Sequence, residues 1–334
     1  MTKEKVATAI ATNTGIKDLN GNFHQVNVIT FDDCNQGLDY DFLEKFNSNK
    51  FALLKKQNDL ISPPFLSIDK DKARRLNDCH KFLVLGKSSD NSKYKIVRAS
   101  SCRVRYCPIC AYKRSVKYCR ENKQMIKIFK ERNKDTKFIF LTLTIKNCFG
   151  DELKSTIDLL SEAFHRFIKL KQIKSRFVGF IKNLEVTYNK KTRTFHPHLH
   201  VYIAVNDKLS NISQQEYCDL WQKACRLNYI PICDVRICTD NDKSIVEVSK
   251  YLTKFSDICK LDYQSRTYVL SVLNASMANR RTISFGGIFK DIRKEMNYED
   301  DISDKFSEIP DCDEKIIVVW HFGLKIYKPL KWLD

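Results

Sequence analysis

The chain has 334 residues, 43% hydrophobic and 11% aromatic, enough apolar surface to bury a sizeable core, so it reads as globular. Its 58 Lys and Arg against 40 Asp and Glu leave a charge of +18, which stability does not require and which points to a polyanionic partner, nucleic acid first; a merely basic surface is the plainer alternative. The start "MTKEKVATAIATNTGIKD" has no continuous apolar run, and no stretch approaches the roughly 20 apolar residues of a membrane span, so the expected location is the cytoplasm, without a membrane partner.

Residues 1–75 lack strong periodicity, although "DYDFLEKFNSNKFALLKK" spaces Leu and Phe as a helix does. "SPPF" at 62–65 stops any helix, because Pro lacks the N–H and constrains its predecessor, and a helix resumes across "DKDKARRLNDC". The β-like runs "KFLVLG" (81–86) and "KYKIVRA" (93–99) flank a polar turn and read as a hairpin with cysteines on both sides. Residues 111–134 read as a basic amphipathic helix, 137–147 as an alternating strand, and 150–174 as a helix with Leu153, Ile157, Leu160, Phe164, Phe167 and Ile168 on one stripe. Strands at 177–189 and 195–205 form a hairpin across "KKTRT"; a helix at about 213–227, a strand at 233–239 and a single helix at 243–258 follow. The tail holds more helix, a break at "FGG" (285–287), an acidic "DCDEK" and the apolar run "IIVVWHFGL". The order β-α-β-β-α-β-α predicts an α+β fold, a central antiparallel sheet flanked by helices. It divides the chain into an N-terminal segment (1–75), a cysteine-rich segment with its basic helix (76–134), a core (135–260) and a C-terminal segment (261–334).

Three of the seven histidines stand at alternate positions in "TFHPHLHVYIAV" (194–205). A strand sends alternate side chains to one face, so His196, His198 and His200 point together, and two such imidazoles chelate a divalent ion. Glu185 lies opposite His198 if the hairpin loop is even-numbered and centred near 191–192, so Glu185 or His196 is the candidate third ligand. Two histidines and a carboxylate suit Mg²⁺ or Mn²⁺ where a phosphate is to be polarised, and imidazole also accepts Zn²⁺. In "VEVSKYLTK" helical spacing is expected to put Glu247, Tyr251 and Lys254 on one face. A tyrosine hydroxyl needs a nearby cation to attack a phosphodiester at neutral pH; Lys254 and the metal supply it, and Glu247 is placed to deprotonate the tyrosine or a water.

Thirteen cysteines in a chain without a secretory signal are free or metal-bound more often than disulfide-linked. "CRVRYCPIC" supplies Cys102, Cys107 and Cys110, and Cys79 lies across the hairpin, a spacing for a structural Cys₄ zinc site rather than a redox pair. Cys148, Cys218, Cys225, Cys233, Cys238 and Cys259 read as scattered buried hydrophobes. Arg103, Arg105, Lys113 and Arg114 crowd the knuckle, as a solvated face or as phosphate contacts.

Together these pieces resemble the single-tyrosine rolling-circle replication initiators of small Gram-positive plasmids, within the HUH endonuclease superfamily. That family has an "FLTLT" strand, matched by "FLTLTIKN" (140–147), then a His-hydrophobe-His strand, matched at His198-Leu199-His200, then Glu-x-x-x-Tyr-x-x-Lys, matched by "EVSKYLTK" (247–254). "EVTYN" (185–189) and the preceding cysteine-rich segment fit the same pattern, and the resemblance spans about 75–260. It implies an HUH-like sheet behind a zinc knuckle and a nickase and strand transferase acting on supercoiled and single-stranded origin DNA. Tyr251 would hold the 5′ end as phosphotyrosine, His198 and His200 would bind the metal, and Glu247 would activate water for the terminating cleavage. Host helicase and DNA polymerase would act on the released 3′-OH, and a homodimer is compatible with a repeated origin. Relaxases and transposases are the rivals inside the superfamily, and relaxases usually carry their tyrosine before the histidines. A non-catalytic zinc-dependent DNA-binding regulator is the rival outside it.

Overall fold

Alternating strands build sheets of five, four and two strands among the described residues, and helices with one apolar stripe pack on the largest. The computed structural model describes residues 15–17, 23–25, 40–87, 94–133, 136–206, 213–239, 243–297 and 315–330. Residues 1–46 form one compact unit, in which β1 (Gly15–Lys17) pairs antiparallel with β2 (Phe23–Gln25). Helix α1 (Tyr40–Ser48) follows, and residues 47–334 form the second unit. The helical run expected at its start is divided: the Asn49 side chain accepts from the amides of Phe51 and Ala52 and begins a new helix, α2 (Lys50–Ile61). The prolines end α2 as expected; α3 (Phe65–Ile68) and α4 (Lys70–Asp78), capped by Asp69, lead into the hairpin β3 (Phe82–Lys87) and β4 (Tyr94–Ala99).

Helix α5 (Pro108–Arg132) starts inside the cysteine motif, three residues before the expected 111, because Cys107 caps it and Pro108 occupies its first turn. Then come β5 (Thr136–Thr144), α6 (Leu153–Phe167), the short α7 (Lys171–Lys174), β6 (Phe177–Asn189), β7 (Thr194–Asn206), α8 (Gln214–Cys225) and β8 (Cys233–Ile237). The chain continues through α9 (Ser244–Val248), α10 (Phe255–Cys259), α11 (Tyr263–Ser276), β9 (Ile283–Gly287), α12 (Ile288–Glu295), β10 (Lys315–His321) and β11 (Ile326–Pro329). The larger sheet has five strands in the order β8-β5-β7-β6-β9, every neighbour antiparallel, and the smaller has four in the order β11-β10-β3-β4. This is the expected α+β arrangement.

The helix expected at 150–174 is divided into α6 and α7, and two further findings depart from the sequence reading. The "FGG" break is strand β9 on the edge of the central sheet: a Cβ on Gly286 would meet the Phe180 ring, and Gly287, at φ +57°, would drive one into the Val178 carbonyl. The single helix expected at 243–258 is instead α9 and α10, separated by a non-helical stretch through Tyr251. The carbonyls that would carry the helix onward are taken by β6, since Asn183 Nδ2 donates to Lys250 O (2.8 Å) and the Val186 amide to Leu252 O (2.7 Å). Tertiary hydrogen bonds outweigh local propensity here.

The central sheet is buried on both faces. Leu141, Leu199, Val201 and Ile203 pack beneath Leu160 and Phe164 of α6 and Trp221 of α8. Phe138, Phe140, Tyr202 and Ala204 face Phe129 of α5, Val248 of α9 and Phe289 of α12. Fully buried Trp221 lies edge-on to Phe167 (5.7 Å) and donates Nε1–H to Thr144 O (2.9 Å), pinning α8 to the end of β5. Trp221→Ala is expected to cost about 3–5 kcal/mol, read as a lowered midpoint in urea denaturation with an unchanged slope.

Candidate active site

The alternation that buries Tyr202 and Ala204 continues back along β7 to His200, His198 and His196 on the same face. The turn at 190–193 pairs Asn189 with Thr194, and that register sets Glu185 opposite His198 and Asn183 opposite His200, the pairing expected from an even loop. Glu185 Oε2 lies 3.1 Å from His200 Nε2 and 3.6 Å from His198 Nε2, with the two imidazoles perpendicular at 4.8 Å. All three side chains are buried. His198 Nδ1 meets the His196 carbonyl (3.1 Å), and His200 Nδ1 meets Thr142 Oγ1 (3.3 Å) and Glu247 Oε1 (3.7 Å). Both rings therefore have oxygens behind Nδ1 and turn Nε2 toward the carboxylate, the arrangement that orients metal-binding histidines. Burial pushes the Glu185 carboxyl up, but hydrogen bonds and charge from His198 and His200 outweigh it and hold it well below the usual carboxylate range.

His196 is not part of this group. Its Nδ1 lies 2.6 Å from Asn147 Oδ1, and its ring is tilted by 37° against that of His198, with centroids 5.1 Å apart. Burial, then the neighbouring His198, lowers its pKa.

Tyr251 stands half-buried on the stretch between α9 and α10, its ring 5.4 Å from Phe255. Burial raises its pKa, and the Glu185 charge raises it further, so the two groups share one electrostatic environment. Because α9 ends at Val248, Glu247 and Tyr251 do not share a helical face. Glu247 Oε2 is 2.6 Å from Arg236 of β8, whose guanidinium lies 4.5 Å over Phe140 while Phe140 stacks on His200 (5.5 Å). Arg236 escaped the sequence reading because nothing local distinguishes it: only pairing between β8 and β5, which puts it opposite Phe140, brings it here. Lys254 flanks the first residue of α10 and is exposed.

A second cluster lies at the start of α5. Cys79, Cys102, Cys107 and Cys110 are buried, with sulfur separations of 3.5 Å (Cys107 to Cys79) and 3.7 Å (Cys110 to Cys79 and to Cys102). The amides of Cys102 and Cys110 point at Cys79 Sγ and Cys107 Sγ, both at 3.5 Å. Hydrogen bonds from Cys102, Cys107 and Cys79 lower the Cys110 thiol, while hydrogen bonding from Cys102 raises Cys79 and burial raises Cys107. Among the described residues, two groups place their donor atoms within 4.8 Å of one another as a shared ion requires: these four sulfurs, and Glu185 with His198 and His200. The first donor set is soft and closed; the second is harder and mixed.

The basic residues around the knuckle divide. Arg105 donates to the carbonyls of Met277 (2.9 Å) and Arg280, so it clamps the end of α11. Lys113 Nζ donates to Ser101 Oγ (2.9 Å), and Arg103 is exposed on a backbone at φ +57°. Arg114 lines a cavity that also contains Tyr251.

The replication protein family matches over residues 93–328. A protein rep of Bacillus amyloliquefaciens is 32% identical over 288 residues, 77% of this chain and 84% of that relative. Another, of Staphylococcus aureus, is 36% identical over 220 residues, 64% of this chain and 95% of the relative. A third, of Streptococcus pneumoniae, is 31% identical over 268 residues, covering 74% and 81%. No solved structure matches. Among the described residues no helix is long and apolar enough to cross a membrane.

A carboxylate with a depressed folded-state pKa stabilises fully above its unfolded value, and that stabilisation is lost as pH falls toward the folded value. Glu185 is such a group. Below about pH 4.3 its contribution should fade, and Glu185→Gln should lose less stability than the parent between about pH 5 and 3, measured by denaturation midpoints at each pH.

Proposed function

The chain belongs to the replication protein family, and from that premise we propose that it initiates rolling-circle replication of a plasmid by nicking one strand at the double-strand origin. What carries the reading is the convergence of Glu185, His198 and His200 on one sheet face, with Tyr251 on a segment that is hydrogen-bonded to the same strand, β6, through Lys250 O and Leu252 O.

The donor set fits a divalent ion, because a carboxylate oxygen and two Nε2 atoms converge while both Nδ1 atoms face oxygens. Mg²⁺ or Mn²⁺ held there supplies Lewis-acid polarisation of the scissile phosphate. Tyr251 acts as the nucleophile: its hydroxyl attacks phosphorus, the bond to the 3′ oxygen breaks, and the 5′ end stays on the protein as phosphotyrosine. The 3′-OH primes synthesis by the host polymerase behind a helicase. Burial and the Glu185 charge oppose ionisation of the phenol, so cationic charge is needed near it, and Lys254 is the side chain proposed to contribute. Glu247 positions His200 through Nδ1; its role as general base in the terminating cleavage would use Oε1, the oxygen that Arg236 does not bind. Arg236 holds Glu247 in this orientation. The Cys₄ cluster is proposed to hold Zn²⁺ structurally, since four thiolates in a closed site match its tetrahedral preference.

Incubated with supercoiled plasmid carrying its own origin and Mg²⁺ or Mn²⁺, the protein should yield nicked circles with covalently attached protein. Tyr251→Phe should bind the plasmid and leave it supercoiled. Absence of protein-linked nicks with the parent protein would sink the reading. For the knuckle, elemental analysis should find one zinc per chain. Chelation should lower the melting temperature by an amount set by RT ln(1 + [L]/Kd), about 2.7 kcal/mol when free metal is 100-fold above Kd.

A further inference from the structure

Strand β8 ends one side of the central sheet, and among the described residues no strand pairs with its outer edge. The bonds on its inner side show which groups face outward. Cys238 N donates to Phe138 O (2.8 Å) and Thr144 N to Ile232 O (3.3 Å), so in this antiparallel ladder the even-numbered residues of β8 bond to β5. The amides and carbonyls of Cys233, Val235 and Ile237 therefore point away from the sheet. Gln214 Nε2 donates to Cys233 O (3.0 Å), and a carbonyl oxygen accepts two such bonds.

Open sheet edges are ordinarily blunted by lysine, proline or a bulge. The outer strands of the smaller sheet follow that pattern, since β11 carries Lys328 and Pro329 and β4 carries Lys95 and Arg98. β8 has no lysine or proline and pairs with β5 in unbroken register, and apolar side chains stand open along it, with Ile232 76% and Ile237 71% exposed. Its two charges are opposite in sign. Asp234 and Arg236 are both exposed and share the face of Thr142 and Phe140, the residues they pair with on β5.

An edge of this kind accepts a further extended strand, and its own sequence selects which. Two copies of β8 meeting antiparallel about a two-fold axis at Val235 set Asp234 of each opposite Arg236 of the other. In the same register the outward groups of Val235 bond to their symmetry mates, and those of Cys233 meet those of Ile237. The other two-fold registers fail. Centring on Asp234 or on Arg236 sets like charges face to face, and centring on Cys233 requires an N–H from Pro231, which has none. Centring on Ile237 leaves Arg236 opposite Cys238. Charge and hydrogen-bonding groups thus agree on one register, and in it the strand is complementary to itself.

We propose that the outer edge of β8 is the docking surface for a second copy of this chain, which adds its own β8 in the Val235-centred register and joins two five-stranded sheets into one. The two-fold axis then runs perpendicular to the sheet, so the Glu185, His198 and His200 groups of both copies open on the same side. The contact also reaches the candidate active site. Arg236, which binds Glu247 (2.6 Å), gains Asp234 of the partner subunit as a second carboxylate. None of this depends on Tyr251 acting as a nucleophile.

The test is the mass of the full chain in solution, by sedimentation velocity over a concentration series up to about 100 µM, which captures a micromolar pair. The parent should pass from one copy to two. Asp234→Arg sets like charges at both contacts and should raise the dimer Kd about 10-fold or more, as should Arg236→Asp. Mixed in equal amounts, these two variants are complementary at both contacts and should dimerise with each other about as well as the parent does with itself. Val235→Pro removes an outward amide, a substitution that an edge strand tolerates, and should also raise the Kd. Melting temperatures within the parent's range show each variant folded. A parent that stays monomeric throughout overturns the inference. So does a folded Val235→Pro or Asp234→Arg that pairs like the parent, or a mixture of folded charge variants that stays monomeric.

Discussion

The pairing of Glu185 with His198 across β6 and β7 is the constraint on which the rest of the site depends. Side chains in a strand alternate with a period of two, so a slip of one residue would send Glu185 into the apolar layer under α6 and leave the histidines without a carboxylate. Two features fix the register. The turn at 190–193 is closed by the Asn189 side chain, whose Oδ1 accepts from the amides of Lys191 (2.9 Å) and Thr192 (3.3 Å). On the opposite face Leu184, Val186, Leu199 and Val201 are all buried in one cluster, so a one-residue slip of β6 would take Leu184 and Val186 out of it and put the Glu185 carboxylate in among Leu199 and Val201. The same alternation that makes the core thus brings Glu185, His198 and His200 together.

Around that pair, the site is assembled by contacts that lock one group through another. His200 is held between Phe140 and Glu185, Glu247 backs it, and Arg236 restrains Glu247 while covering Phe140. The segment with Tyr251 is fixed not by helical bonds but by β6, whose Asn183 and Val186 take the carbonyls of Lys250 and Leu252. β6 therefore carries the carboxylate and also positions the tyrosine, so the distance between them is set by one strand rather than by packing between separate elements. Asn122 of α5 adds a further tie through Ser249 Oγ (2.9 Å).

How much of this could be read from the sequence follows from how local each cause is. The strand period, the even turn and the cysteine spacing are local, and they brought Glu185, His198, His200 and the four cysteines to their observed places. Helical spacing in "VEVSKYLTK" is local too, but it lost to hydrogen bonds from residues some 65 positions earlier, where Asn183 and Lys250 are separated by 67. Arg236 became visible only with the pairing of β8, and His196 stands apart from the convergence of Glu185, His198 and His200, with its Nδ1 against Asn147, 49 residues away. The edge strand β9 was hidden for a different reason. Its glycines read as a break, yet their missing Cβ atoms are what allow the close approach to Phe180 and Val178.

The cysteine cluster has a structural consequence beyond its own turn. Lys55 of α2 is fully buried and donates to the carbonyls of Cys79 (2.8 Å) and Asn77 (3.1 Å), with Asp59 3.9 Å away. Burial lowers its pKa, and the charges of Asp59 and of the cysteines oppose that. Asp59 in turn accepts from Trp320 Nε1 (2.8 Å) of β10 and from Lys325 (2.9 Å). A buried ammonium without such partners would be strongly unfavourable. The smaller sheet, built from strands more than 200 residues apart in sequence, is therefore joined to α2 at the same place where the sulfurs gather. Cys107 also caps α5, so this long helix starts from the same joint.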